Sequence, residues 1–353
     1  MTLYTYDPNH ILHTLPAHKD IQDHPESHFR VEAIINEIQR IGLDKKLRGL
    51  EAHKDHFTSA DWDTIRLVHG NRYIEHLQYM VHQGFGHLDE DTYCTQHSVE
   101  VALQGVGALL SVTEKVLTAQ ATNGMALIRP PGHHARAHTA MGFCLFANVA
   151  IATQWARKYL GAERIAIVDF DVHHGNGTQE IFYYDPNVLF MSLHGEPPFW
   201  PGSGLVSERG AEEGYGANVN IPLPMGTGDN GYLAAFRNIL SPLVNRFKPE
   251  VIFLSAGYDA HWLDPLGQMR LSTFGFDRLI LEMMSWADQH CNGRFVAALE
   301  GGYNLDALAH SATHTLSLLH DPNAPLVDEL GRSPEPERDV SDLLGEMQHF
   351  LVG

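Results

Sequence analysis

The stretch Asp169-Phe-Asp171-Val-His173-His-Gly-Asn176-Gly177 leaves an apolar run and carries acids and an imidazole at alternate positions. Side chains at i, i+2 and i+4 share one side of an extended chain, so Asp169, Asp171 and His173 can face the same way. Carboxylate with imidazole is a ligand set that zinc accepts, and three protein ligands leave one position for water. Taken alone, acids and His after a strand also cap helices or line loops. Three further segments change that balance. Ser255-Ala-Gly-Tyr-Asp259 ends a second apolar run, and its Asp259 is placed to be a third ligand. Arg129-Pro-Pro-Gly132 presents His133 and His134 as adjacent imidazoles, a pair that packing alone does not require. Leu299-Glu-Gly-Gly-Tyr303 leaves a phenol at a strand mouth after a glycine pair that permits close backbone approach.

These groups together describe a hydrolytic metal site. The metal would polarise a carbonyl and acidify its water. His133 or His134 would take a proton and return it to the leaving amine. Tyr303 would donate to the developing oxyanion.

The elements that must position these groups alternate between strand-like and helix-like runs. Helical spacing of Val31, Ile34, Ile35, Ile38 and Ile41 predicts a helix over about 27–42, and further helices are expected near 97–120, 146–160, 230–246, 273–290 and 305–319. Strands are expected at 125–128, 164–169, 188–193, 251–255 and 294–299. Near-continuous apolar strands alternating with helices imply an α/β domain of three layers, a central mostly parallel sheet flanked by helices. Ligands of such sheets bind beyond the carboxyl ends of the strands, where every motif above falls. One catalytic domain over 1–320 is expected, followed by a Pro-, Asp- and Glu-rich loop at 321–337 and a short helix near 339–351.

Composition narrows the class further. The formal charge of −19 argues against direct nucleic-acid binding, which needs Lys and Arg against phosphate. No apolar run reaches the length of a membrane span, and the N-terminus lacks the features of a signal peptide. Cys94, Cys144 and Cys291 form neither a disulfide framework nor a cysteine zinc site. A cytoplasmic location without membrane contact is therefore expected, and an oligomer is compatible with the sequence.

At this point the motifs resemble the histone deacetylase family. The resemblance rests on Arg-Pro-Pro-Gly-His-His-Ala at 129–135, Gly-Phe-Cys at 142–144 and Asp-Val-His-His-Gly-Asn-Gly-Thr-Gln at 171–179. It extends to Ser-Ala-Gly-Tyr-Asp-Ala at 255–260, Asp-Pro-Leu-Gly at 264–267 and Glu-Gly-Gly-Tyr-Asn at 300–304. The likeness runs from His24 to about Leu319, and the variants are similar to class II deacetylases and their bacterial relatives. It implies an arginase/deacetylase-like fold and a zinc-dependent amidohydrolase that deacetylates acetyl-lysine peptides, proteins or small acetylated amines. It implies Asp171, His173 and Asp259 as zinc ligands, His134 as general base and acid, His133 as its electrostatic partner and Tyr303 as the carbonyl-polarising group.

The resemblance also places Asp169 behind His133 and Asn176 behind His134, where class I members carry Asp. An amide supports imidazole basicity less than a carboxylate. A structural K⁺ is implied at Asp169, Asp171, His173, Ser192 and the Leu193 carbonyl. The acyl-lysine tunnel is implied between Phe143 and an aromatic at 199–200, with Trp200 taken as the second wall, and with the Gly142 carbonyl as acceptor for the substrate amide. Arg30 matches an arginine lining an acetate-release route, and equally suits a buried ion pair.

Three rivals are weighed on residues. A two-manganese ureohydrolase needs carboxylates where this chain has Gly175 and His261, and His261 is expected at the entrance instead. A non-catalytic acyl-lysine-binding module would have lost Tyr303 or one of the paired His residues, which are intact. Acetylpolyamine enzymes place an acid at the tunnel mouth where Leu266 stands here, although Glu212 and Glu213 could substitute.

Overall fold

The computed structural model describes residues 1–15, 24–51 and 57–353. Its strands are β1 (Thr2–Tyr6), β2 (Arg48–Glu51), β3 (Phe85–His87), β4 (Tyr93–Thr95), β5 (Asn123–Ala126), β6 (Ile165–Asp169), β7 (Val188–Gly195), β8 (Asn218–Leu223), β9 (Val251–Ala256) and β10 (Phe295–Leu299). The α-helices are α1 (Phe29–Arg40), α2 (Trp62–Ile65), α3 (Asn71–His82), α4 (Ser98–Leu117), α5 (Asn148–Leu160), α6 (Asn176–Phe182), α7 (Asp229–Ala235), α8 (Ser241–Phe247), α9 (Thr273–Cys291), α10 (Leu305–His320) and α11 (Ser341–Val352).

Eight strands form one sheet in the order β2-β1-β5-β10-β9-β6-β7-β8, and all its pairings are parallel. Parallel strands buried on both faces should be apolar throughout, and they are. Along β9, Ile252 and Leu254 enter the core on one face while Val251 and Phe253 enter the core on the other. In β10 the odd positions Phe295, Ala297 and Leu299 face the first core, and Val296 and Ala298 the second. Helices α1, α10 and α9 pack side by side, as do α4 and α5.

The α/β sheet reading from sequence holds, with differences at particular elements. The strand expected at 125–128 runs instead over Asn123–Ala126, because its pairing with β1 and β10 begins at Asn123. The single helix expected at 230–246 is α7, a π-helical turn at Phe236–Leu240 and α8 in succession. The last helix packs back: Leu344, Met347 and Leu351 of α11 are buried against α7 and the π turn. Strands β1, β2, β3, β4 and β8 and helices α2, α3 and α6 lay outside the sequence reading.

Behind the strand ends sits a buried charge cluster. Arg129 binds both oxygens of Glu26 at 2.8 Å, and Arg30 Nη1 reaches Glu26 at 3.3 Å. Arg30 also donates to the carbonyls of Gly302, at 2.7 Å, and Glu300. All three side chains are essentially inaccessible to solvent. Burial opposes ionisation of Glu26, but the charge and hydrogen bonds of Arg129 hold its pKa below the ordinary 4.5. A depressed carboxylate pKa stabilises the fold above pH 4.5, and the contribution is lost as pH falls toward the folded-state value. Glu26→Ala strands two buried guanidinium groups, so a loss of about 3–5 kcal/mol is expected in denaturant unfolding at pH 7.

Candidate active site

The loops after β5, β6, β9 and β10, the four central strands, converge at one end of the sheet. Asp171, His173 and Asp259 bring donor atoms within 4.8 Å of one another, the one such group among the described residues. Donors this close fit around a single ion bound at about 2 Å. Each carboxylate is aimed by backbone. Gly301 N–H donates to Asp171 Oδ2 at 2.8 Å, His173 N–H to Asp171 Oδ1 at 2.9 Å, and Val172 N–H to Asp259 Oδ1 at 2.8 Å. Glycine at 257 and 301 is a requirement of that approach. A Cβ on Gly257 would lie 2.0 Å from Asp171 Oδ2, and one on Gly301 would lie 2.3 Å from Asp259 Oδ2.

The electrostatics demand positive charge between the two acids. Burial disfavours protonated His173, yet its contacts with Asp171 and Asp259, both at 3.1 Å, push its pKa up to about 10. Burial and the neighbouring Asp171 push Asp259 up to about 7. A buried pair of carboxylates with one imidazole is stable only with a proton or a cation among them, and the donor set suits Zn²⁺.

The paired imidazoles diverge in character. His133 Nδ1 donates to Asp169 Oδ2 at 3.0 Å, and its Nε2 lies 3.7 Å from Asp171. Burial works against its charge, but Asp171 and Asp169 win and push the pKa up to about 10. His134 Nδ1 lies 2.8 Å from Asn176 Oδ1, while the Asn176 amide nitrogen donates to Met141 Sδ at 3.2 Å. This orientation makes Nδ1 of His134 the N–H donor and leaves Nε2 with a lone pair. Burial, then the charges of His133 and His173, hold the His134 pKa well below 6.5, so its imidazole is neutral.

A base works only when unprotonated, so the rate falls on the acid side of its pKa. Asn176→Asp places a carboxylate against Nδ1 and favours the imidazolium. The acid limb of kcat/KM is therefore expected to move to higher pH by about one unit or more. An unmoved limb in the pH–rate profile would detach Asn176 from the base.

Tyr303 is half-buried, with the Arg30 guanidinium 5.0 Å from its ring centroid and Phe143 edge-on at 6.0 Å. Asp264 fixes its backbone, accepting N–H bonds from Tyr303 at 2.6 Å and Asn304 at 3.0 Å, while Asn304 caps α10 through Ala307 N–H. Burial holds the phenol pKa well above 10, so the hydroxyl remains a donor.

A cavity of about 520 Å³ opens onto these groups, lined by His134, Gly142, Phe143, His173, Phe199, Trp200, Leu266 and Tyr303 among others. Phe199 as well as Trp200 forms its wall. The Phe199 ring stacks on His173 at 5.1 Å, and Trp200 stands edge-on to His134 at 4.5 Å. Neighbours on an extended chain point apart, but residues 196–202 turn, through Phe199 N–H to Glu196 and Gly202 N–H to Phe199, and both rings reach the cavity. The Gly142 carbonyl lies 3.2 Å from Cys144 Sγ. Ser192 pairs with Asp169 in the β6–β7 register and bonds His194 Nδ1 at 2.8 Å, and Leu193 follows it on β7.

Two expectations are corrected here. His261 does not line the cavity: it is buried, accepting the Leu263 N–H at 3.2 Å and lying 3.4 Å from the Thr273 hydroxyl. Glu212 and Glu213 form a short 3₁₀ turn and are not among the residues that line it, whereas among the described residues the lining acids are Glu90 and Asp91. Those acids, with Leu15 and His87, were not singled out in sequence because the chain around them carries no motif, whereas His24 and Pro25 open the family likeness. Asp264 and Glu300 were inside recognised motifs but had no role until their backbone partners were known.

Fold and site define a hydrolase of the arginase/deacetylase-like kind. The histone deacetylase domain pattern matches residues 24–319, and the chain belongs to the histone deacetylase family, on its class II-like side. It is 38% identical to histone deacetylase 10, chloroplastic, of Oryza sativa over 97% of this chain and 81% of that protein. It is 38% identical to a probable deacetylase of Archaeoglobus fulgidus over 89% of each. A histone deacetylase-like amidohydrolase of Pseudomonas aeruginosa is 36% identical over 82% of this chain and 74% of its own length. The crystal structure of the HDA15 HD domain superposes with a TM-score of 0.87 at 31% identity, covering 99% of this chain and 93% of that one.

Proposed function

We propose that this protein is a zinc-dependent deacetylase of acetyl-lysine-type amides. The observation that carries the reading is the convergence of His134, His173 and Tyr303 on one cavity with aromatic walls. When held by Asp171, His173 and Asp259, zinc supplies Lewis-acid polarisation and acidifies water. His134 Nε2 accepts the proton of the attacking water and delivers it to the departing amine nitrogen. His133, kept cationic by Asp169 and Asp171, stabilises negative charge nearby. The Tyr303 hydroxyl donates to the carbonyl oxygen as it gains charge. Phe143, Phe199 and Trp200 enclose the acyl-lysine stem, and the Gly142 carbonyl accepts the amide N–H. A K⁺ ion held by Asp169, Asp171, His173, Ser192 and the Leu193 carbonyl would balance the buried acids. Three buried free cysteines suit a reducing cytoplasm, and the catalytic unit is taken as residues 1–320. No helix among the described residues is long and apolar enough to cross a membrane.

A second reading, hydrolysis of acetylpolyamines, is favoured by Glu90 and Asp91 at the cavity, which would attract a cationic chain. Leu266 in the wall opposes it. The deciding experiment sets zinc-loaded protein against acetyl-lysine peptides, longer acyl-lysines and acetylpolyamines, with metal analysis. Acetyl-lysine is expected to have the highest kcat/KM, and inactivity toward every amide would sink the proposal. Leu266→Glu is expected to raise the acetylpolyamine to acetyl-lysine ratio about tenfold, the worth of one added favourable charge contact. An unchanged ratio would remove Leu266 from the specificity argument.

A further inference from the structure

The proton-transfer pair sits on a loop whose backbone is gripped by a residue of another strand. Glu300 follows β10 and is fully buried. One carboxylate oxygen, Oε2, accepts the N–H of Gly132 at 2.6 Å and of His133 at 3.1 Å. The other, Oε1, accepts the Ser255 hydroxyl at 3.1 Å, and Ser255 lies in β9, four residues before Asp259. The Glu300 carbonyl accepts from Arg30, and its N–H donates to Ala256 at 3.0 Å. A single side chain therefore ties the β5 loop bearing His133 and His134 to the strand ends bearing Asp259 and Tyr303. Backbone N–H groups buried without this acceptor would need another partner, and the loop would shift to find one.

We infer that Glu300 is a positioning residue for the proton-transfer pair, setting His133 and His134 against the metal ligands and Tyr303 by its reach rather than its charge. The inference rests on the reading of that pair given above. Reach and charge separate cleanly by substitution. Glu300→Gln keeps an oxygen at the two N–H groups and loses the charge, its amide nitrogen turning to the Ser255 oxygen. Glu300→Asp keeps the charge and falls short of the loop. Glu300→Ala loses both.

The test measures kcat, KM, bound zinc and melting temperature on zinc-loaded enzyme with an acetyl-lysine peptide. Glu300→Gln is expected to stay within about fivefold of wild-type kcat. Glu300→Asp and Glu300→Ala are expected to lose about 10²-fold in kcat, the scale of an ångström's misplacement, with KM within about threefold and zinc unchanged. A readout free of turnover follows the His133 Nδ1–H to Asp169 in ¹⁵N-histidine-labelled protein. Its downfield imidazole resonance should persist in Glu300→Gln and vanish or shift in Glu300→Asp. Should Glu300→Ala not fold, the Asp and Gln variants carry the comparison alone. Wild-type kcat in Glu300→Asp would overturn the inference. So would Glu300→Gln as impaired as Glu300→Asp, or losses that track zinc content or folded fraction. Inactive wild-type enzyme would instead refute the deacetylase reading and this inference with it, and shows before any variant is made.

Discussion

His173→Ala is expected to yield a folded protein that retains no zinc and hydrolyses no amide. Three ligands hold the proposed ion, and the two that remain are carboxylates, where burial and then repulsion from Asp171 already push Asp259 up to about 7. With the imidazole gone, the acids satisfy themselves by protonation rather than by binding a cation. Stripping the wild type with a chelator should abolish activity in the same way, and added zinc should restore it to the wild type alone. The effect is large because water at neutral pH is a poor nucleophile without a Lewis acid. Metal content and rate are to be measured on one preparation. Full activity in a metal-free sample would end the zinc mechanism.

Tyr303→Phe separates transition-state stabilisation from binding. The substitution keeps the ring against Phe143 and Arg30, and keeps the backbone N–H that Asp264 holds at 2.6 Å. Only the hydroxyl goes, a neutral donor because burial lifts its pKa well above 10. Loss of one such donor costs about 10²–10³ in kcat. Zinc content and melting temperature should stay near wild type, since Tyr303 is outside the ligand group. A merely structural tyrosine would give the reverse pattern, with lowered melting temperature and near-normal turnover of the folded fraction. Wild-type kcat in this variant would assign the oxyanion to another donor.

Much of the site was legible because its chemistry is local. Asp171 and His173 sit two residues apart at a strand end, His133 and His134 are adjacent, and the alternation of apolar strands with helices dictates a sheet covered on both faces. Strands β1, β2 and β8 were not legible. The Thr2–Tyr6 run reads as polar and aromatic, and its pairing between β2 and β5 makes it a strand. Its Thr and Tyr residues favour a strand locally, but the run lacks the continuous apolar character by which the other strands of the sheet are read. The resemblance points to an aromatic at 199–200 and takes Trp200 as the second wall; the turn at 196–202 brings Phe199 to the cavity beside it, stacked on His173.

The sequence by itself determined the reacting groups: which side chains can hold a metal, move a proton or meet an oxyanion, and that they lie at strand ends. Only the tertiary structure decided how those groups are charged and held. His133 and His134 are chemically identical neighbours in the chain. One faces Asp169 and Asp171 and is held cationic, while the other faces an amide oxygen and stays neutral through burial and the neighbouring positive charges. Glu26, Asp264 and Glu300 acquire their roles the same way, through distant partners that no spacing rule reaches: Arg129 for Glu26, 103 residues away, Tyr303 for Asp264, 39 residues away, and Gly132 for Glu300, 168 residues away. A pKa and a hydrogen bond depend on distance in space, and the order of strands in the sheet sets that distance.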